Sequence, residues 1–174
     1  MILADLEKIF NGQYSIVKIT DMIIDDVYEV MKLNKYFFSR TQLHDITREE
    51  CREDMYALPP DTDMSQKFYI ALYKENECVA LIDYIEGYPD PNVVYLGLFM
   101  LTPKFQGVRV GSYIIGKFIE CVGNNAFTEI KLGCYEANEI GYAFWNRMGF
   151  KKEKCSIREN DGKAYNLIHM QRVL

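Results

Sequence analysis

An uninterrupted run of uncharged residues, Val93–Leu101, leads into the glycine-containing segment Lys104–Ser112 and then into an amphipathic stretch. The run predicts a buried strand, and the apolar spacing after the segment predicts a helix. The first amides of a helix have no partner within it, and the helix dipole favours negative charge there. Glycine also lets the main chain approach a ligand closely. The order of strand, glycine loop and helix therefore predicts a site for phosphate groups.

The chain has 174 residues, which is the size of one domain, and we expect a single domain over residues 1–174. Its net charge is −5 and no cluster of Lys or Arg stands out, which argues against a nucleic-acid partner. Early acidic residues argue against a secretory signal, and no apolar run reaches the roughly 20 residues of a membrane span. The five cysteines are widely spaced, which argues against a disulfide framework or a metal site. These features predict a cytoplasmic protein with no membrane partner and no metal.

The hydrophobic periodicity along the chain predicts one mixed α/β domain. The predicted strands are 14–19, 67–73, 78–85, 93–101, 130–134, 151–157 and 164–172, and the predicted helices are 21–33, 46–58, 110–122 and 139–148. A dinucleotide-binding fold would carry its glycine loop after the first strand, whereas here an antiparallel hairpin precedes the loop. The Gly-Lys-Ser/Thr ending of a P-loop is absent.

Two motifs identify a family resemblance. Gln106–Gly111 matches the first and last positions of Gln/Arg-x-x-Gly-x-Gly/Ala, and Asn138–Phe150 matches most of Asn-x-x-Ala-x-x-Phe-Tyr-x-x-x-Gly-Phe. The chain therefore resembles the GNAT superfamily of acetyl-CoA-dependent N-acetyltransferases over about residues 14–174. The resemblance implies an α/β, GNAT-like fold. In that fold a mixed, mostly antiparallel central sheet of about six to seven strands is flanked by about four helices and splayed between its central strands.

The resemblance also implies where acetyl-CoA would bind as co-substrate. The main chain of the strand would hold the pantetheine arm, and the N–H of Leu101 would polarise the thioester carbonyl as an oxyanion donor. The loop amides would cradle the pyrophosphate, while Asn138 and the helix face carrying Trp145 would lie against the arm. The full set of expected cofactor-binding residues is Phe99, Met100, Leu101, Gln106, Gly107, Val108, Arg109, Val110, Gly111, Ser112, Asn138 and Trp145.

Two positions depart from the family pattern. Arg109 replaces the middle loop glycine, so its side chain would either block close approach of the phosphates or supply charge to them. Trp145 stands where many relatives carry a tyrosine that protonates the departing thiolate, and an indole donates a hydrogen bond but is no proton source. Tyr142, one turn earlier on the helix, and Tyr135, at the end of the preceding strand, are candidate acids, with aromatic packing as the alternative role of each.

An amine nucleophile must lose a proton, and a carboxylate can accept it. The strand 93–101 contains no acid. The candidates for the base are Asp83 and Glu86 in the hairpin's second strand and Glu136 after the fifth strand, each with a solvated surface role as the alternative. Glu86 and Asp90 would give the acceptor pocket negative charge, suited to a cationic amine.

The leading hypothesis is an N-acetyltransferase that moves acetyl from acetyl-CoA to a primary amine by direct attack in a ternary complex. The acceptor would be a small polyamine or amino compound, an antibiotic, or a protein N-terminus or lysine. The competing hypothesis is a catalytically weak or inactive GNAT-fold module that binds acyl-CoA and regulates. A homodimer is expected only by analogy with relatives.

Overall fold

Seven strands form one sheet in the order β1-β2-β3-β4-β5-β7-β6 in the computed structural model, which describes residues 1–174. The strands are β1 (Ser15–Lys18), β2 (Lys67–Lys74), β3 (Glu77–Glu86), β4 (Val93–Leu101), β5 (Glu129–Tyr135), β6 (Lys151–Asn160) and β7 (Lys163–Val173). The helices are α1 (Ile2–Ile9), α2 (Ile24–Leu33), α3 (Lys35–Thr41), α4 (Arg48–Tyr56), α5 (Val110–Asn124) and α6 (Glu139–Arg147).

The sheet is mixed and mostly antiparallel, as predicted, because only β4 and β5 run parallel. Their pairing ends at Leu96 opposite Leu132. Beyond that register β4 continues to Leu101 and β5 to Tyr135 without pairing to each other. The sheet is therefore splayed between its central strands, which confirms the predicted GNAT-like architecture.

The two faces of the sheet carry two separate cores. One face packs against α1, α5 and α6, with Leu6, Phe118 and Trp145 among the buried side chains. The other packs against α2 and α4, with Met31 and Cys51 among them. Successive strand residues face opposite sides, so each β3 residue belongs to one of these two environments.

No helix is both long enough and apolar enough to span a bilayer.

Six helices flank the sheet where about four were expected, because α1 and α3 were not predicted. Both have eight residues or fewer, and isolated helices of that length are marginal in water. α1 forms because Ile2, Leu6 and Phe10 are fully buried in the core that α5 also lines. The element is stabilised by tertiary packing rather than by its own sequence.

Several element ends also differ from the predictions. α2 is preceded by a short 3-10 turn, Asp21–Ile23, with the Thr20 hydroxyl accepting from the N–H of Met22. α4 begins later than predicted, at Arg48, because Thr47 and Glu50 form a reciprocal capping box. α5 runs through Gly123 to Asn124 instead of ending at the glycine.

Candidate functional site

A cavity of about 590 Å³ opens where β4 and β5 part. Its floor consists of Tyr95–Phe99 of β4 and Lys131–Tyr135 of β5, and residues of β2, β3, β6 and β7 form its walls. Gly97 is exposed although it lies in a central strand, because no β5 residue pairs beside it. Asp83 is paired with Leu98 and Tyr84 with Leu96, so Gly97 is the extra residue of a β-bulge. The cavity therefore reaches the irregular point of the sheet.

Asp83 of β3 carries the carboxylate closest to this point. Its Oδ2 accepts from Nζ of Lys67 at 2.7 Å, and the lysine side chain is only 2% exposed. The other oxygen, Oδ1, is buried without a hydrogen-bond partner. Burial raises the pKa of Asp83, while the neighbouring Lys67 lowers it. The result is a carboxylate of increased basicity in the cavity lining, with Oδ2 beside Gly97 and Oδ1 buried.

A second acid, Asp54 of α4, interacts with the same pair. Burial raises its pKa to about 6, the charge of Asp83 adds to this rise, and the charge of Lys67 opposes it. By surface area, however, Asp54 is an exposed residue of α4, so solvent is in contact with its carboxylate side of the helix. Sequence reasoning missed both Lys67 and Asp54, since each stands in an ordinary charged surface pattern of the chain.

The other acids predicted near the acceptor lie elsewhere. Glu86 is on the opposite face of the sheet from Asp83, where burial raises its pKa while the N-terminal ammonium and the backbone of Ile2 oppose that rise. Asp90 is exposed and does not line the cavity. Glu136 is exposed, and its Oε2 accepts from Asn166 at 2.8 Å. The structure brings only Asp83 of these candidates to the cavity, and it does not support a negatively charged pocket formed by Glu86 and Asp90.

The loop before α5 presents a row of free amides. The N–H groups of residues 107–112 make no hydrogen bond within the protein, and the first bond of the helix runs from Tyr113 N–H to Arg109 O. α5 is 15 residues long, so its dipole adds positive potential at this end. Val108 is exposed, and Gly107 has a φ of +74° with open space around it. This geometry suits a diphosphate.

Arg109 is the N-cap of α5 and has a left-handed backbone, with φ of 68°. The substitution of the family's glycine therefore falls where glycine is favoured sterically. Gly111, in contrast, is kept for packing, because a β carbon there would lie 2.9 Å from Cδ1 of Leu101. The two glycine positions of the motif thus serve different purposes in this chain.

The backbone of β4 leads from the loop to the bulge. Thr102 N–H donates to Val79 O of β3. In an antiparallel pair only every second residue directs its N–H at the partner strand. The N–H groups of Leu101 and Phe99 therefore point away from β3, towards the open side. The carbonyl of Leu101 accepts from Nδ2 of Asn34 at 2.9 Å and from Nε2 of Gln106 at 3.2 Å. Gln106 thus holds the loop to the end of α2, and Met100 faces the α2 side of the sheet. The part played by Asn34 had no signal in the sequence.

α6 closes the other side of the opening with aromatic side chains. Trp145 is buried, lines the cavity, and packs against Phe99 with ring centroids 6.1 Å apart. Tyr142 is half-buried against the core and does not line the cavity. The Asn138 side chain caps α6 by accepting from Gly141 N–H at 3.1 Å. Trp145 is thus the only one of these three that reaches the cavity.

The chemistry of a covalent enzyme intermediate or a metal centre is not supported by the side chains present. Burial raises the pKa of Cys134, the one thiol in the cavity wall, to about 11. A thiolate is therefore disfavoured there. No group of three or more His, Cys, Asp or Glu side chains is placed to hold a metal ion.

Comparison with known proteins agrees with this geometry. Residues 26–150 match the model of the "Acetyltransferase (GNAT) family". Similar solved structures include an acetyltransferase from Thermus thermophilus, with 20% identity, a TM-score of 0.72 and coverage of 92% of this chain and 97% of that one. No curated protein sequence matches.

Two further structures share the fold. An acetyltransferase from Salmonella typhimurium that modifies the N-terminal serine of ribosomal protein L7/L12 has 14% identity and a TM-score of 0.72, covering 94% of this chain and 96% of that one. The PaiA N-acetyltransferase from Thermoplasma acidophilum, in complex with coenzyme A, has 14% identity and a TM-score of 0.64, covering 93% and 99%.

Proposed function

The chain belongs to the acetyltransferase (GNAT) family, and from that premise we propose that it transfers acetyl from acetyl-CoA to a primary amine by direct attack in a ternary complex. The family match makes it an acetyltransferase that uses acetyl-CoA. The acceptor and the residues that act in the transfer are the proposed part. The single observation that carries this part is the position of the Asp83 carboxylate beside Gly97, where β4 and β5 separate.

The proposed cofactor site extends from the loop along β4. The free amides of residues 107–112 and the α5 dipole hold the pyrophosphate. The outward-facing N–H groups of Phe99 and Leu101 bind the pantetheine amides as a neighbouring strand would. Leu101 lies four residues from Gly97, or about 13 Å along a strand. An arm that begins at the loop therefore brings its thioester to the bulge.

Asp83 is the proposed general base. Only about one lysine-like amine in a few thousand is neutral at pH 7, so deprotonation limits attack unless a base takes the proton. The Asp83 carboxyl lines the cavity, where it can accept that proton, and its raised pKa brings its strength closer to the working pH. Lys67 fixes Oδ2 and so orients the carboxylate.

The departing thiol needs little acid assistance, because its pKa is about 8.5. Trp145 supplies a wall rather than a proton, and its ring and that of Phe99 exclude water from the thioester. The reaction balances within the ternary complex. The ammonium first gives one proton to Asp83. The neutral nitrogen then bonds to the acetyl carbon, the carbon–sulfur bond breaks, and the second nitrogen proton passes to the departing sulfur, so the products are the amide and free CoA thiol.

Thiol release from acetyl-CoA, measured across an amine panel, tests the activity. In the ternary mechanism, double-reciprocal plots with both substrates varied intersect, whereas a covalent enzyme intermediate gives parallel lines. Asp83→Asn is expected to lower kcat by about 10²–10⁴-fold with CoA affinity unchanged. Glu86→Gln, on the opposite face, is the matched control. Binding of CoA without release from any amine would favour the regulatory module instead.

A further inference from the structure

The charged side chains around the cavity have a sign opposite to that of the protein. The chain carries a net charge of −5. The cavity is lined by four basic side chains and two acidic ones, together with His169. The basic side chains are Lys67, Lys131, Lys154 and Arg158, and the acidic ones are Asp83 and Glu153.

The two acids of the cavity are already neutralised. Asp83 accepts from Lys67, as described, and Oε1 of Glu153 lies 3.1 Å from Nζ of Lys131. The side chains of Lys154 and Arg158 in β6 make no ion pair and no hydrogen bond. Both side chains are exposed and line the cavity, and neither binds another group of the protein. Two uncompensated positive charges therefore stand along one wall.

The charges of these two residues act on neighbouring titratable groups. Burial lowers the pKa of His169, and the charge of Lys154 lowers it further. Burial raises the pKa of Tyr95 on the floor, while Arg158 opposes that rise. Burial also raises the pKa of Asp54 on α4, and the charge of Arg158 is among those that oppose this rise. The wall is thus a source of positive potential at the cavity floor.

We propose that the acceptor is a small elongated amine that carries a carboxylate or phosphate, with the amine at Asp83 and the anionic group at Arg158 and Lys154. This inference rests on the proposed function, since it names the acceptor class of that same site. A planar guanidinium suits either anion, and the volume of about 590 Å³ suits a small molecule. β6 lies four strands from β3, which carries Asp83, or about 19 Å between backbones at ordinary strand spacing. An acceptor that spans both ends is therefore elongated.

The cavity walls between Asp83 and the two basic side chains favour an acceptor whose middle part is apolar. Fifteen of the 26 residues that line the cavity are hydrophobic. They include Leu58 from the loop after α4, Ile85 of β3 and Leu167 of β7. A polycation such as a polyamine would place a second positive charge against Arg158 and Lys154, where it is disfavoured.

The test uses pairs of amines that share a carbon skeleton. One member of each pair carries the anionic group and the other does not. The pairs are aminohexanoate with hexylamine, aminooctanoate with octylamine, and aminohexyl phosphate with aminohexanol, and spermidine serves as the polycation. Thiol release gives kcat/KM for each. The anionic member of at least one pair is expected to exceed its partner by about tenfold or more, as one charge-assisted hydrogen bond allows.

Variants separate the binding of the anion from general effects. Arg158→Gln and Lys154→Gln are each expected to lower kcat/KM for the anionic amine about tenfold, mainly through KM, and to leave its neutral partner within about twofold. Lys151→Gln is the matched control, because Lys151 is an exposed lysine of the same strand outside the cavity lining. A preference for spermidine, or for an acidic peptide over every small anionic amine, would overturn the inference while the proposed activity stands.

A binding measurement covers the case in which no amine is turned over. Hexanoate and phenylpropionate carry the anion without the amine, so each is expected to raise the melting temperature of the CoA complex in the wild type but not in Arg158→Gln. That result without thiol release would support the anion site and contradict the proposed transfer. No shift with any anion, together with no anionic preference in turnover, would contradict the anion site.

Discussion

A β carbon added to Gly97 would lie 3.1 Å from Oδ2 of Asp83. The carboxylate that accepts from Lys67 therefore rests on the one β4 residue that has no side chain, at the bulge where β5 departs. This contact links the irregular geometry of β4 to the orientation of the proposed base.

Gly97→Ala is expected to displace the Asp83 carboxylate by a few tenths of an ångström and to lower kcat by about tenfold or more. The free energy of unfolding should change by about 1 kcal/mol at most, because the contact falls on a side-chain oxygen. Steady-state kinetics with thermal unfolding measure the two effects. Gly116→Ala is the control, since a β carbon there meets no atom within 4 Å. An unchanged kcat in Gly97→Ala would contradict the placement of Asp83 as the base.

The left-handed backbone of Arg109 predicts opposite effects on folding and on binding. Arg109→Gly is expected to raise the free energy of unfolding by about 1 kcal/mol, because glycine has no β-carbon penalty at this φ. If the guanidinium contacts phosphate, the same change weakens CoA about tenfold, measured by titration calorimetry. Gly107→Ala, at a φ of +74°, should destabilise instead. Tighter CoA binding by Arg109→Gly would show that the arginine obstructs the loop.

Trp145 is the only tryptophan, so its fluorescence reports on one place in the molecule. Its ring lines the opening beside Phe99, along which the pantetheine arm is proposed to lie. We expect CoA to change the emission of Trp145, and adenosine diphosphate, which has no such arm, to leave it unchanged. Calorimetric binding of CoA without any change in emission would place the arm elsewhere.

His44 ties the turn between β6 and β7 to α4. Nε2 lies 2.7 Å from Oε1 of Glu50 and Nδ1 lies 3.0 Å from Oδ2 of Asp161, and hydrogen bonding to Glu50 raises the pKa of His44. A raised folded pKa means that its stabilisation is complete below the unfolded value of about 6.5 and is lost as pH rises through the folded value. The melting temperature of His44→Gln should therefore fall below that of the wild type in acid and approach it in base.

His169→Gln provides the control of opposite sign. Burial lowers the pKa of His169, so protonating it in acid costs the folded state stability. Removing it should therefore help most at low pH. A difference between His44→Gln and the wild type that grows with pH would contradict the bridging role of His44.

Periodicity and turn residues were sufficient to predict most of the sheet. β4 was predicted with its observed bounds, because a continuous run of uncharged, mostly apolar residues shows in the sequence directly. The loop and the start of α5 were predicted because glycine and helix-start patterns are local. α1 and α3 were missed because short helices depend on what they pack against.

The acceptor side could not be predicted in the same way. Asp83 and Glu86 are three residues apart in one strand, so the alternation of side chains puts them on opposite faces, and only the folded sheet decides which face meets the cavity. Lys67, Lys154 and Arg158 come from strands far apart in the chain, and only the sheet order places them around one space.

The amino-acid sequence by itself determined the family, the order of most elements and the position of the glycine loop before α5, since all three depend on patterns within about 15 consecutive residues. Only the tertiary structure decided which carboxylate stands at the opening, which charges remain unpaired and that the cavity is positive. The physical reason is that burial, ion pairing and the raised pKa of Asp83 depend on neighbours that are distant in the chain and adjacent only in the folded sheet.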